Sequence, residues 1–489
     1  MEKFKIDITS EIERFKNHID LTGNNQIIFS GIFGIGKTFF LKEFFEENND
    51  KYESFLLSPV NYSISNNDDI IDYIKYDIAF ELLGKDLDYE NTDYSTLLTS
   101  QFYLKENFLD TASLIAKSGG KVGKAFSDIY ENLKKIANNI EKHNSESQTD
   151  EKKELINFLK EITAKENSIY EENRITELIS VLIEKLKENK KEIVLLIDDL
   201  DRLDPEHIFR ILNVFACHFD FGNSSENKFG FDKIVLVCDI ENIRNIFHSK
   251  YGANVDFSGY IDKFYSRETH YFNNKTIVSK SVHEILSSIK IENEYLHIID
   301  LKNKRGTASI IFQEIIEDLI NNDLLNLRTL LKLYNKEYAL KFFEFKISEN
   351  NGKSLNWHFQ KILVFDFLIS FYGSVNSLRT ALEKLAKLNP SKRINHLELK
   401  RYNDLIAFID YNNHKTAVGD FIYANVDLNI SIKYKALRYG EQKDETTTNI
   451  KGITDIKNNE VNRLDFPFAP LLKIAFEEYV NLKRIKNHI

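Results

Sequence analysis

Over the first 275 residues, short apolar runs alternate with stretches whose apolar positions recur every three or four residues. Asn25–Ser30 (NQIIFS), Ser54–Ser58 (SFLLS), Lys191–Ile197 (KEIVLLI) and Lys233–Cys238 (KIVLVC) read as buried strands, with a fifth near residue 271. Between them, KTFFLKEFFEE (37–47), DDIIDYIKYDIAFELL (68–83) and the stripe Ile175, Leu178, Ile179, Leu182, Ile183, Leu186 have helical spacing. Asp204-Pro205-Glu206 is a helix start, with Asp as N-cap, Pro at the first helical position and Glu in the first turn. Strands alternating with helices predict an α/β fold with a parallel sheet of about five strands.

The pattern weakens between about Lys85 and Gln148 and turns polar from Glu141 to Glu154. Residues 63–174 are therefore expected to form a helical insertion between two parts of the sheet domain, 1–62 and 175–275. Beyond residue 276 the chain reads as mainly helical to 388. In the remaining segment, 389–489, Phe421–Arg438 alternates enough for strands. Tyr439–Asn459 reads as a loop, and a last helix spans Ala469–Lys486.

Composition narrows the class. The chain has 489 residues, 42% apolar and 29% charged, with 5 prolines, which fits several globular domains. Its net charge of −10 argues against a generally basic nucleic-acid coat, though not against a local patch. The basic cluster Ser391–Arg401 reads as a solvated face rather than a nucleic-acid contact. Cys217 and Cys238 are too few for a disulfide framework and lie in no metal-ligand pattern, nor do the scattered histidines, such as His207 and His218. The charged N-terminus has no apolar leader. The longest apolar run, Ile362–Gly373, is too short to span a bilayer and contains Asp366. The expectation is a soluble, cytoplasmic protein with no membrane partner.

The chemistry concentrates at strand ends. GIFGIGKT, Gly31 to Thr38, fits G-x-x-x-x-G-K-[ST] between a strand and a helix. Its glycines let successive N–H groups converge on one point, at which the following helix also aims its positive end. Gly31, Gly34, Ile35, Gly36, Lys37, Thr38 and Phe39 form the candidate nucleotide cradle. Lys37 reaches the β- and γ-phosphates, and Thr38 offers its hydroxyl to Mg²⁺. A phosphate loop needs a carboxylate on a neighbouring strand, and IVLLIDDLDRLD supplies it. Asp198 is the candidate metal partner, and Asp199 the group that orients or deprotonates water. Asp239, at the end of KIVLVC, is a candidate phosphate sensor or a helix N-cap. Arg202 is either a local ion pair or a residue that reaches a neighbouring subunit's nucleotide.

These segments together resemble the KAP family of P-loop NTPases: GIFGIGKT, SPVNYSI after the second strand, IDDLDRL, CDIENIRNIF and YIDKFYS (Tyr260–Ser266). The resemblance covers about Asp20 to Phe272. It implies that Gly36, Lys37 and Thr38 bind nucleotide and Mg²⁺, that Asp198 supports the metal and that Asp199 is the catalytic carboxylate. It also matches Arg328, in NLRTLLKLYN, to an arginine that in related ATPases senses the phosphates. Arg267, just past YIDKF, is a candidate for a neighbouring site. Many relatives carry membrane helices between the two Walker motifs, and nothing between Lys37 and Asp198 is apolar enough for that. Tyr62 and Phe33 replace tryptophans frequent in the family and keep an aromatic ring.

The expected activity is Mg-dependent ATP hydrolysis. The absence of an N-K-x-D element leans toward adenine. The ATPase would act as a conformational switch or an oligomeric assembly of further copies of the chain. The resemblance implies a role in bacterial defence against phage or mobile elements, since bacterial KAP proteins include phage-exclusion factors. The rival readings are an ATP-binding scaffold with negligible turnover that delivers a separate effector protein, and a nucleic-acid-stimulated motor, which the net charge disfavours.

Overall fold

The computed structural model describes residues 7–62, 70–83, 174–216, 229–291, 307–334, 337–338, 364–394, 396–410, 413, 419–438, 446–456 and 465–486. The body of the expected insertion, Cys217 and His218 lie outside the described residues. Two compact units emerge, residues 8–273 and residues 274–489 with 1–7.

The first unit is built on a sheet. Its elements are α1 (Thr9–Ile19), β1 (Gln26–Ser30), α2 (Lys37–Glu47), β2 (Tyr52–Leu57), α3 (Ile70–Leu83), α4 (Arg174–Lys187), β3 (Glu192–Ile197), α5 (Pro205–Ile211), β4 (Lys233–Cys238), α6 (Ile240–Tyr251), α7 (Phe257–Ile261) and β5 (His270–Tyr271). The strands lie in the order β2-β3-β4-β1-β5, and every pair is parallel. Ser30 is level with Cys238, and Ile197 with Leu236. The chain therefore leaves β1, β3 and β4 at one edge. β1 leads to β2 in one direction and the later crossovers run in the other. Loops that diverge in this way open a crevice at the strand ends.

Alternate strand residues face opposite layers, as the two-residue period of a strand requires. Ile27, Phe29, Val194, Leu196, Val235 and Val237 face an aromatic layer with Phe15, Phe40, Phe44 and Phe272. The Phe15 and Phe44 ring centres are 4.7 Å apart, as are those of Phe40 and Phe272. Ile28, Ile193, Leu195, Ile197, Ile234 and Leu236 face the other layer. There α3 and α4 contribute Ile71, Ile74, Ile78, Leu82, Ile179, Leu182 and Ile183. The helix at the head of the expected insertion thus packs into the sheet's own core. Asp204 caps α5 as the sequence predicts, accepting the Glu206 N–H at 2.9 Å.

The second unit comprises α8 (Lys275–Ser287), α9 (Thr307–Asn321), a short turn of helix at Leu327–Leu331, α10 (Val364–Tyr372), α11 (Val375–Leu388), α12 (Asn403–Ile409), β6 (Gly419–Asn425), β7 (Ile430–Arg438), β8 (Thr446–Asp455) and α13 (Phe468–Lys486). One apolar cluster runs through it from Val278 to Val480. β6, β7 and β8 form an antiparallel meander with β7 in the middle. β8 corrects the loop expected over Tyr439–Asn459. Its Thr and Ile residues suit a strand, but a register shift at Lys433/Tyr434 breaks the two-residue period. The inward residues Ile450 and Ile453 are therefore three apart, and no alternation shows in the sequence. Residue pairs Lys290–Ile291 with Glu337–Tyr338, and Lys392–Arg393 with Asp465–Phe466, add two-residue strands. Among the described residues no helix is long and apolar enough to cross a membrane.

Candidate functional site

β1 ends at Ser30, and the chain turns through Gly31–Gly36 into α2. Gly34 and Gly36 have φ of 80° and 101°, left-handed conformations that glycine adopts without steric cost. Gly31 is required by closeness instead, since a β-carbon there would meet the Phe272 carbonyl oxygen at 3.1 Å. The Gly31 N–H donates to the Cys238 carbonyl at 3.0 Å and the Phe272 N–H to the Ser30 carbonyl at 2.7 Å, which pins the loop's origin. Gly36 caps α2 with no side-chain bond. The first N–H groups of a helix have no intrahelical partner, which makes the start of α2 a place where an anion can bind.

Lys37 is only 7% exposed. Its ammonium donates to the Gly31 carbonyl at 2.6 Å and to the Ile32 carbonyl at 3.4 Å, so it is folded back over its own loop. Thr38 Oγ1 donates to Asp198 Oδ2 at 2.6 Å, joining the two motifs across 160 residues of sequence. Asp198 follows β3 directly and is 2% exposed, and its Oδ1 accepts the Asp199 N–H at 2.8 Å. Burial pushes its carboxyl pKa up, against the Thr38 hydroxyl bond and the Lys37 charge, which pull it down, while the Asp199 charge adds to the rise.

Asp199 has φ of 56°, and its Oδ2 accepts Arg202 Nη1 at 2.6 Å. Arg202 therefore forms the local ion pair, and its guanidinium lies 5.8 Å from the Phe33 ring centre. Asp239 caps α6, accepting the Glu241 N–H at 3.1 Å, and burial raises its pKa. Phe33 and Phe39 are about half exposed at the loop, whereas the Ile35 side chain is buried in the aromatic layer and can serve the cradle only through its backbone.

Two candidates belong to other segments of the chain. Arg267 donates through Nε to the Thr22 carbonyl at 3.1 Å, in the turn that leads into β1. That is the opposite end of β1 from the loop, so Arg267 lies outside the crevice of its own chain. Arg328 is an exposed residue of the Leu327–Leu331 helix in the second unit, where Asn326 caps the helix by accepting the Thr329 N–H at 2.8 Å. In the basic cluster, Lys392 pairs with Glu314, and Arg401 lies 3.6 Å from Glu398. These local pairs fit a solvated face.

Two contributors escaped the sequence reading. Ser30 Oγ accepts the Ile240 N–H at 3.1 Å, and Asn242 Nδ2 donates to Asp201 Oδ2 at 3.0 Å, tying the acidic segment to α6. The only signal for Ser30 is its place as a polar residue at the end of a buried strand. Asn242 carries none.

The donor set suits Mg²⁺. A hydroxyl and a buried carboxylate oxygen meet at 2.6 Å beside the loop, and hard cations take oxygen ligands. Among the described residues no group of three or more His, Cys, Asp or Glu is arranged to cage a metal. Mg²⁺ characteristically uses one or two protein oxygens and completes its shell with phosphates and water.

A parallel sheet with a glycine loop at the end of its β1 strand, running into a helix, and a buried acidic strand end bonded to that helix define a nucleotide-binding P-loop NTPase. Comparison with protein families matches residues 12–338 to the KAP family P-loop domain, and the chain belongs to that family. No curated protein matches the chain.

Proposed function

We propose that this chain is a Mg-dependent ATPase whose hydrolysis drives a conformational switch in an assembly of its own copies. The Thr38–Asp198 hydrogen bond carries the proposal, because it makes the phosphate loop and the acidic strand one structural unit. Lys37 leaves the Gly31 and Ile32 carbonyls and pairs with the β- and γ-phosphate oxygens. The N–H groups at the start of α2 bind the same anion. Thr38 and Asp198 hold Mg²⁺, which when bound neutralises charge on the β- and γ-phosphates. Asp199 accepts a proton from the attacking water as its oxygen bonds to the γ-phosphorus and the bond to the β-phosphate oxygen breaks, giving ADP and phosphate. Phe33 and Phe39 flank the loop with apolar surface.

The assembly and its setting in bacterial defence come from the family resemblance. They predict a switch that is read out by other proteins rather than a metabolic enzyme. The test is steady-state ATP turnover of the purified chain over a range of protein concentrations, beside Lys37→Ala. Mg-dependent turnover per chain that climbs with concentration, and is absent from Lys37→Ala, is expected. A wild type that binds no ATP contradicts the site. Turnover that is independent of concentration contradicts the assembly.

A further inference from the structure

Two sides of the crevice meet at Arg202. Its Nη1 donates to Asp199 Oδ2, and its guanidinium lies over the ring of Phe33, which sits inside the phosphate loop between Gly31 and Gly34. The backbone arranges this meeting. Asp199 adopts the left-handed region, which an L residue enters only at a cost. Its N–H bonds to the Asp198 side chain and its carbonyl accepts the Arg202 N–H at 3.1 Å. The tight turn brings the guanidinium back beside the carboxylate three residues earlier.

The partners are also easy to exchange. The two side chains are 46% and 27% exposed. Exposed ion pairs contribute little and are screened by salt, and an arginine on an exposed ring adds modestly. With no competitor, the pair fixes where the Asp199 carboxylate points. A triphosphate in the loop is a better partner, because its charge and its oxygens match the guanidinium fork.

We propose that Arg202 is a latch on Asp199: without nucleotide it holds the carboxylate and rests on Phe33, and it releases the carboxylate when a bound triphosphate draws the guanidinium away. Arg202 is then a positioning residue that makes the freedom of Asp199 depend on loop occupancy. This rests on Asp199 being the carboxylate that receives the water's proton.

The experiment compares wild type, Arg202→Gln, Arg202→Lys and Asp199→Asn. At saturating ATP the guanidinium has left Asp199 in wild type too, so kcat of Arg202→Gln is expected to stay within about a factor of two. KM for ATP is expected to rise roughly two- to fivefold, the factor into which an exposed ion pair converts, because the guanidinium that the triphosphate draws to itself is gone. Arg202→Lys keeps the charge and stays near wild type. A second readout needs no turnover. In nucleotide-free protein, the Tm shifts of Asp199→Asn and Arg202→Gln are non-additive, and the non-additivity disappears with Mg²⁺ and a non-hydrolysable ATP analogue. A KM of Arg202→Gln at the wild-type value overturns the latch, as do additive Tm shifts without nucleotide. Hydrolysis by Asp199→Asn at the wild-type rate removes the role of Asp199 instead, and the melting cycle alone then decides the latch. The same cycle decides it if no variant turns over.

Discussion

Buried and partly buried carboxylates occur in both units, and their partners differ in kind. In the second unit Asp410 accepts the Tyr434 hydroxyl at 2.6 Å, Glu314 accepts that of Tyr402 at 2.7 Å, and Asp366 accepts that of Tyr479. All three tyrosines are 1–2% exposed, and their hydroxyl pKa values are pushed up by burial and the adjacent carboxylates. A phenol whose ring is locked in a core is held against its carboxylate by packing. At the strand ends of the first unit, Asp198 is held by a threonine hydroxyl that rotates, Asp199 by a half-exposed arginine, and Asp239 by a backbone N–H. Burial of a carboxylate therefore does not mark a functional site by itself. A site is marked by partners that a ligand can replace.

The largest effect expected from this contrast is at Lys37. Lys37→Ala removes the charge that meets the phosphates, and turnover falls on the order of 10²–10³-fold, as for loss of one preorganised donor. Steady-state kinetics measures it, with urea unfolding to show that stability moves far less. The converse substitution is Tyr434→Phe, which strips Asp410 of its phenol. It should cost about 1–3 kcal/mol of stability, the penalty for an unsatisfied buried group, and leave turnover per folded chain unchanged. A drop in turnover would break the contrast.

A pH titration sharpens it from another side. His18 and His270, in the aromatic layer of the first unit, are 7% and 5% exposed, with ring centres 4.9 Å apart. Burial lowers both pKa values. That of His270 falls to about 3, helped by His18 and Arg14, while Glu268 partly opposes the drop at His18. His270 stays neutral in the fold, and an unfolded chain takes up protons below about pH 6.5. The His270 contribution is therefore complete above that pH and declines as pH falls toward 3, with a slope of up to about 1.4 kcal/mol per pH unit, and the lowered pKa of His18 acts in the same direction. Chemical denaturation at a series of pH values reads the slope. His270→Phe, which keeps a ring in the stack, should lessen it. The smallest effect is at Asp239. Asparagine caps a helix as well as aspartate, so Asp239→Asn shifts Tm by little. If turnover also holds, Asp239 is a cap alone. If turnover falls at constant Tm, it faces the phosphates.

The sequence carried the parts of this site that lie along the chain. GIFGIGKT and IVLLIDD each sit at the end of a buried apolar run, so their order, strand assignment and approach to one another were legible. The Asp204 cap was legible because capping is local. What escaped depends on tertiary placement. Phe33 and Arg202 meet only because β1 and β3 flank β4, and the turn at Asp199 swings the guanidinium back. Arg267 is bound at the far end of β1, which no spacing reveals. β8 was hidden because a register shift removed the alternation by which strands are recognised.

The central claim is that Asp199 works on water bound beside nucleotide held by Lys37, Thr38 and Asp198. The most direct test is Asp199→Asn, with Mg-ATP affinity and single-turnover hydrolysis measured on the same preparation. The account predicts affinity within a few-fold of wild type and hydrolysis slowed on the order of 10²–10⁴-fold, the usual contribution of a positioned base. Hydrolysis at the wild-type rate with unchanged affinity would contradict it.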